Sequence, residues 1–255
     1  MATYVVSDIH GYYDLFLSGL RKIGFCANDF LWCLGDAIDR GPDGIKVLQL
    51  IKSHSNMEML IGNHELMMLN SVDPAGEDIC NGRDTSTWLD GNDGIKTFDR
   101  YKVLPIQERK ELLEWLNSRY VIKTLDVKDK HFCLTHSFYS SRCKNKRYNE
   151  MSYTDAWNIT WSSVWREDFL THGEDVYSQY DYTFVVGHVP VQNIRCRNEL
   201  EEWYQLVNLR LSSFRSDNVV AIDGGCALGS TKVFENGIII LRLPDLSEQY
   251  VYMKT

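Results

Sequence analysis

Long hydrophobic runs, closely spaced cysteine pairs and a surplus of basic residues are all missing from this chain. Its longest apolar runs, such as Gly237–Leu241, are strand-sized, so no membrane span is expected. The cysteines (Cys26, Cys33, Cys80, Cys133, Cys143, Cys196 and Cys226) include no C-x-x-C spacing, which excludes zinc knuckles and thioredoxin-like redox motifs and suits a reduced set of thiols. Met1 to Ile9 holds no basic region followed by an apolar stretch of signal length, and a cytoplasmic protein is expected. With 27 Lys and Arg against 35 Asp and Glu, the formal charge is -8; nucleic-acid binding is not expected, because it needs a positive face to displace counterions. Proline-, serine- and glutamine-rich tracts are absent too, which leaves no linker, disordered arm or repeat to account for.

What is present is globular composition, 44% apolar and 24% charged, in a length that one core accommodates. A single domain over residues 1–255 is expected. Thr3–Ser7 is a β-branched and aromatic run followed by Asp8, after which Leu15, Phe16, Leu20 and Ile23 fall at helical spacing. The unit recurs twice. Phe30–Leu34 leads to Gly35, Asp36 and a helix from Pro42 to Lys52, and Met57–Ile61 leads to Gly62, Asn63 and a helix through Leu69. Three such units in series predict an open α/β sheet that binds ligands at the carboxyl ends of its strands.

Residues 72–119 break the pattern, and Ile106, Leu112, Leu113 and Leu116 after Pro105 mark an amphipathic segment, read as a helical insertion over the site. Tyr120–Leu125 and Lys130–Thr135 form a predicted hairpin that delivers His136. Residues 137–180 form a second irregular insertion rich in Trp, Tyr and Arg, and strands are predicted over Thr183–Val186, Val219–Ile222, Thr231–Phe234, Ile238–Leu243 and Tyr250–Met253. Two packed sheets flanked by helices account for both halves.

Polar residues collect where such a sheet would bind. Asp8 and His10 follow the first strand, Asp36, Asp39 and Arg40 the second, Asn63 and His64 the third, His136 and His188 two later ones. Taken singly, each has a plain structural alternative: an Asp caps a helix, a His fills a core hydrogen bond, Asn63 sits in a left-handed turn, Arg40 is solvated. Five strand ends contributing carboxylate, imidazole and amide together favour a metal site instead.

On the motifs Asp8-Ile9-His10-Gly11, Gly35-Asp36-Ala37-Ile38-Asp39-Arg40-Gly41, Gly62-Asn63-His64-Glu65, His136 and Gly187-His188, with Ile222-Asp223-Gly224-Gly225-Cys226 towards the end, the chain resembles the calcineurin-like metallophosphoesterases. Within them it resembles the phosphoprotein phosphatase branch and its bacterial and phage lambda-type serine/threonine phosphatases, with symmetrical diadenosine tetraphosphate hydrolases as neighbours. Ser7 stands where a glycine is usual, and Thr135-His136-Ser137 replaces the usual histidine followed by glycines.

The resemblance implies a four-layer α/β/β/α sandwich and a pair of divalent cations, Mn2+ first, with Fe2+ or Zn2+ compatible. Asp8, His10 and Asp36 would hold one cation, and Asp36, Asn63, His136 and His188 the other. Hydroxide held between them would attack phosphorus directly, with His64 as general acid oriented by Asp39. Arg40 and Arg166, with Asn63, would bind the phosphoryl group. The expected substrate is a phosphoserine or phosphothreonine protein, the alternative a dinucleoside polyphosphate for which Trp88, Tyr139, Trp157, Trp161 or Trp165 could stack adenine.

Overall fold

The computed structural model describes residues 1–163, 177–195 and 210–254. Strands β1 (Thr3–Val6), β2 (Phe30–Cys33) and β3 (Met57–Met59) run parallel, Thr3 opposite Phe30 and Leu31 opposite Met57. Helices α1 (Tyr13–Lys22) and α2 (Gly44–Ser53) make the crossovers, as the alternating patterns predicted. The second helix starts two residues later than read, because Pro42 precedes its N-cap, Asp43. After β3 the chain enters α3 (Asn63–Ser71), whose first residues are buried.

A second sheet follows: β4 (Ile122–Val127), β5 (Lys130–Thr135), β6 (Thr183–Val186), β7 (Phe214–Arg215) and β8 (Val219–Ala221), in the order β4-β5-β6-β8-β7. Within it β5, β6 and β8 are parallel. The first sheet is completed by β9 (Gly237–Leu243), antiparallel to β1, and β10 (Ser247–Tyr252), giving β10-β9-β1-β2-β3. Each sheet therefore holds a run of three parallel strands, and their apolar residues, Val5, Leu31 and Met59 from one sheet and Phe132, Leu134 and Val185 from the other, join one continuous buried cluster. Buried apolar side chains of this size stabilise by about 1.5–3 kcal/mol each, so this shared core is what holds the two sheets together.

Local departures from the reading have physical causes. Tyr120 does not extend β4; it bridges Leu60 and Arg147 and accepts a hydrogen bond from Ile61 N at 2.9 Å, tying the end of β3 to the approach of the second sheet. β4 runs on to Val127, past the Leu125 expected, which leaves Lys128 and Asp129 as the turn, with Lys128 at φ 57°. Thr231–Phe234 is not a strand, because Thr231 Oγ1 accepts from Val233 N at 3.1 Å and bends the chain there. Between residues 72 and 119 lie α4 (Gly94–Tyr101) and α5 (Ile106–Asn117), the latter entered through Pro105. The stretch read as irregular contains α6 (Tyr153–Trp161), whose N-cap Ser152 accepts from Asp155 N at 3.1 Å. The short α7 (Val191–Arg195) follows β6. Among the described residues no helix is long and apolar enough to cross a membrane.

Candidate active site

The residues read as a rim do meet. Asp8 and His10 follow β1, Asp36, Asp39 and Arg40 follow β2, Asn63 and His64 open α3 after β3, His136 follows β5 and His188 follows β6. Asp8 and Asp36 are not helix caps: α1 is preceded by Tyr12 and α2 by Asp43. Six of these residues carry left-handed backbone, Asp8 (φ 52°), His10 (47°), Asp36 (52°), Asp39 (66°), Arg40 (63°) and His188 (67°). Such residues cost about 1–3 kcal/mol each and persist only where the surroundings fix them. The fixing is visible: Asp8 N donates to Gly35 O at 3.1 Å, His10 N to Asp36 O at 2.9 Å and Gly187 N to His136 O at 2.8 Å, so neighbouring loops brace one another. A Cβ on Gly62 would overlap the Asp36 carboxylate, and one on Gly187 would overlap Ser7 and Asp8, which explains glycine at both places.

Asp36 is the hub. Its Oδ2 lies 3.4 Å from His136 Nε2, 3.8 Å from His10 Nε2 and 3.9 Å from His64 Nε2. Asn63 Oδ1 lies 3.0 Å from both His136 Nε2 and His188 Nδ1. Two groups of potential ligands share Asp36 among the described residues: His10, Asp36 and His64, and Asp36, His136 and His188. Asp8, buried, instead accepts from His188 N at 3.0 Å. The donor set fits divalent cations. An octahedron with bonds of about 2.1 Å has edges of about 3.0 Å, the spacing seen around Asn63 Oδ1. Moreover, His10 Nδ1 bonds Ile38 O at 3.1 Å and His136 Nδ1 bonds Leu34 O at 3.0 Å, which fixes each ring so that Nε2 faces Asp36.

Protonation follows position. Burial, then the neighbouring His64, pushes His10 down to about 3, and burial with His136 pushes His188 down to about 4, so both imidazoles keep a free lone pair. His136 is pushed the other way, to about 10: burial lowers it, but Asp36 and Asp8 outweigh that. Asp36 is held well below the usual carboxylate range, because His136 and His64 together overcome its burial.

His64 differs from the other imidazoles. Its Nδ1 lies 2.6 Å from Asp39 Oδ2, both side chains being buried, and Trp88 Nε1 donates to the same oxygen at 2.9 Å. Burial lowers the His64 pKa, yet Asp36 and Asp39 raise it further, for a net upward shift that favours the imidazolium. The proximity of His64 to Asp36 admits it as a ligand, and its bond to Asp39 sets it apart from His10, His136 and His188. Arg40, half-buried, donates to Asn92 Oδ1 at 2.9 Å.

Two buried acids stood in the motifs without an assigned role, Glu65 and Asp223. Glu65 accepts from Asp36 N at 2.8 Å, Ala37 N at 2.8 Å and Gly62 N at 3.0 Å, clamping the turns after β2 and β3 together. A glutamate after Asn-His, where a helix begins, is the one local signal that could have found it. Asp223, after β8, accepts from Gly225 N at 2.8 Å and is raised by burial and by Asp8. At the second departure from the family pattern, Thr135 Oγ1 donates to Phe138 O at 2.6 Å and Ser137 Oγ to Ser162 O at 2.7 Å, anchoring the His136 loop to the end of α6. Trp88 and Tyr139 are buried in the core and offer no face to a nucleobase. Trp165 and Arg166 lie outside the described residues.

Paired five-stranded sheets with an Asp-, His- and Asn-rich centre at their strand ends define a metallophosphoesterase. The sequence profile of the calcineurin-like phosphoesterases matches residues 1–220, and the chain belongs to that family. The symmetrical bis(5'-nucleosyl)-tetraphosphatase of Aliivibrio fischeri is 23% identical over 265 residues, spanning 90% of this chain and 92% of its own. The protein of that name from Wigglesworthia glossinidia brevipalpis is 48% identical over 71 residues, 27% of this chain and 26% of its own. Among solved structures, a metallophosphoesterase from Sphaerobacter thermophilus (TM-score 0.51, 16% identity, 100% and 88% of the two chains) and a serine/threonine phosphatase from Saccharomyces cerevisiae (TM-score 0.51, 12% identity, 100% and 80%) share the fold.

Proposed function

We propose that the chain is a metal-dependent hydrolase of dinucleoside polyphosphates, cleaving them symmetrically. The observation that carries the chemistry is Asp36 standing between two groups of imidazole donors with the His64–Asp39 pair beside it. Two divalent cations held by Asp8, His10, Asp36, Asn63, His136 and His188 would supply an acidified water and neutralise phosphate charge, and that mixture of carboxylate, imidazole and amide donors suits Mn2+, Fe2+ and Zn2+ alike. The protein's own part is positional. Arg40 presents a fork of donors to non-bridging oxygens, and His64, whose pKa Asp36 and Asp39 raise against its burial, delivers its proton to the departing oxygen.

The nucleotide substrate is supported by the relatives that match nearly end to end, whereas likeness to protein phosphatases rests on fold alone. This reverses the order expected from the motifs, which put phosphoserine and phosphothreonine proteins first. The -8 charge weakens long-range steering of a polyanion, yet bound cations would set the local sign. The test compares kcat/KM for diadenosine tetraphosphate with phosphoserine and phosphotyrosine peptides at one free-metal concentration. The dinucleotide is expected to lead by at least about tenfold, 1.4 kcal/mol of transition-state binding; a phosphopeptide leading by that margin overturns the assignment.

A further inference from the structure

Trp88 has no place in the motifs, yet it touches the machinery directly. Its indole N–H donates to Asp39 Oδ2 at 2.9 Å, the oxygen that also bonds His64 Nδ1 at 2.6 Å, while Asp39 Oδ1 has no partner among the described residues. The ring is fully buried within a π-helical turn, Thr87–Gly91, packed edge-on against Phe98 at 6.4 Å. Gly94 lies beneath it so closely that a Cβ there would come within 2.5 Å of the indole. The same segment grips the rest of the turn. Thr97 Oγ1 accepts from Asp39 N at 3.0 Å, Asn92 Oδ1 from Arg40 Nη2 at 2.9 Å, and Lys96 Nζ donates to Arg40 O at 3.1 Å.

A carboxylate with one unpaired oxygen in a buried site is free to rotate and present either oxygen, at different distances, to the imidazole beside it. A second, rigid donor on Oδ2 removes that freedom. Trp88 is rigid because its ring is enclosed, and an N–H bond to a carboxylate is among the stronger ones. We propose that Trp88 is a positioning residue of the proton donor: it locks the Asp39 carboxylate so that Oδ2 alone faces His64, and the insertion that carries it makes acid catalysis dependent on residues 87–97. The inference rests on the proposed role of His64. It gives the insertion a task other than covering the site, and it excludes Trp88 as a nucleobase platform.

The experiment replaces Trp88→Phe and, to keep the bicyclic shape while removing only the N–H, Trp88→3-benzothienylalanine, each in protein loaded with diamagnetic Zn2+. One readout is independent of turnover: the His64 Nδ1 proton in the NMR spectrum, assigned by its loss in His64→Asn. Its exchange with solvent is expected to quicken by about tenfold or more in both variants, and an unchanged resonance and exchange rate would overturn the proposal. The other is the ratio of phenyl phosphate to p-nitrophenyl phosphate turnover, expected to fall about tenfold with metal content and KM unchanged, whereas in an Asp39→Asn background the Trp88 substitutions are expected to leave it unchanged. An equal loss on both esters would mean that the ring only packs. If His64→Asn itself spares the ratio, the proton-donor reading fails, and the NMR result still decides whether Trp88 orders the pair.

Discussion

Asn63 Oδ1 and His188 Nδ1 stand 3.0 Å apart although 125 positions separate them along the chain, the spacing of two neighbouring ligands of the cation proposed there. Asn63→Ala should therefore release one of two bound divalent ions, measured by elemental analysis after dialysis. Loss of outer-shell partners already costs about 10–100-fold in metal affinity, so losing this oxygen should cost at least that. Full metal occupancy in Asn63→Ala would remove it from the centre.

Proton donation separates from metal binding. His64→Asn should keep both ions and lose about 10²–10⁴-fold in kcat on phenyl phosphate, less on p-nitrophenyl phosphate, whose leaving group needs little protonation. Asp39→Asn should follow the same pattern more weakly, since it leaves the imidazole in place. Equal losses on both esters would contradict the role.

Arg40→Lys keeps the charge and loses the fork. A hydrogen bond to a charged group contributes about 1.5–3 kcal/mol, so inhibition by the product ADP should weaken by about tenfold or more, with metal content unchanged. An unaltered inhibition constant would place Arg40 outside the phosphate contact.

Glu65 is expected to act on stability first. Glu65→Ala strands the buried N–H groups of Asp36, Ala37 and Gly62, each at a cost of about 1–3 kcal/mol, so denaturant unfolding should show a loss of about 3 kcal/mol or more, with Glu65→Gln losing less. A loss under about 1 kcal/mol in Glu65→Ala would show that water replaces the carboxylate.

The parallel strands were legible because each is a short apolar run that stops at a polar turn: Val5 and Val6 before Asp8, Leu34 before Asp36, Ile61 before Asn63. Periodicity and punctuation are local, and the rim of carboxylates and imidazoles follows from them. What the sequence hid is tertiary. Trp88 reaches Asp39 across 49 positions, Glu65 reaches Asp36 across 29, and neither contact leaves a periodic trace. Thr231–Phe234 shows the opposite failure, a strand-like composition overruled by a hydroxyl that bends the backbone. Substrate was the least legible of all, since in their proposed roles Asp36, His64 and Arg40 would handle a phosphoryl group whatever it is attached to.

The most direct test is therefore the product mixture. Diadenosine tetraphosphate incubated with the metal-loaded protein, alongside a chelated sample, should yield ADP as the only nucleotide product, and the chelated sample should yield none. ATP with AMP, equal turnover without metal, or an intact dinucleotide beside a hydrolysed phosphopeptide would contradict the account.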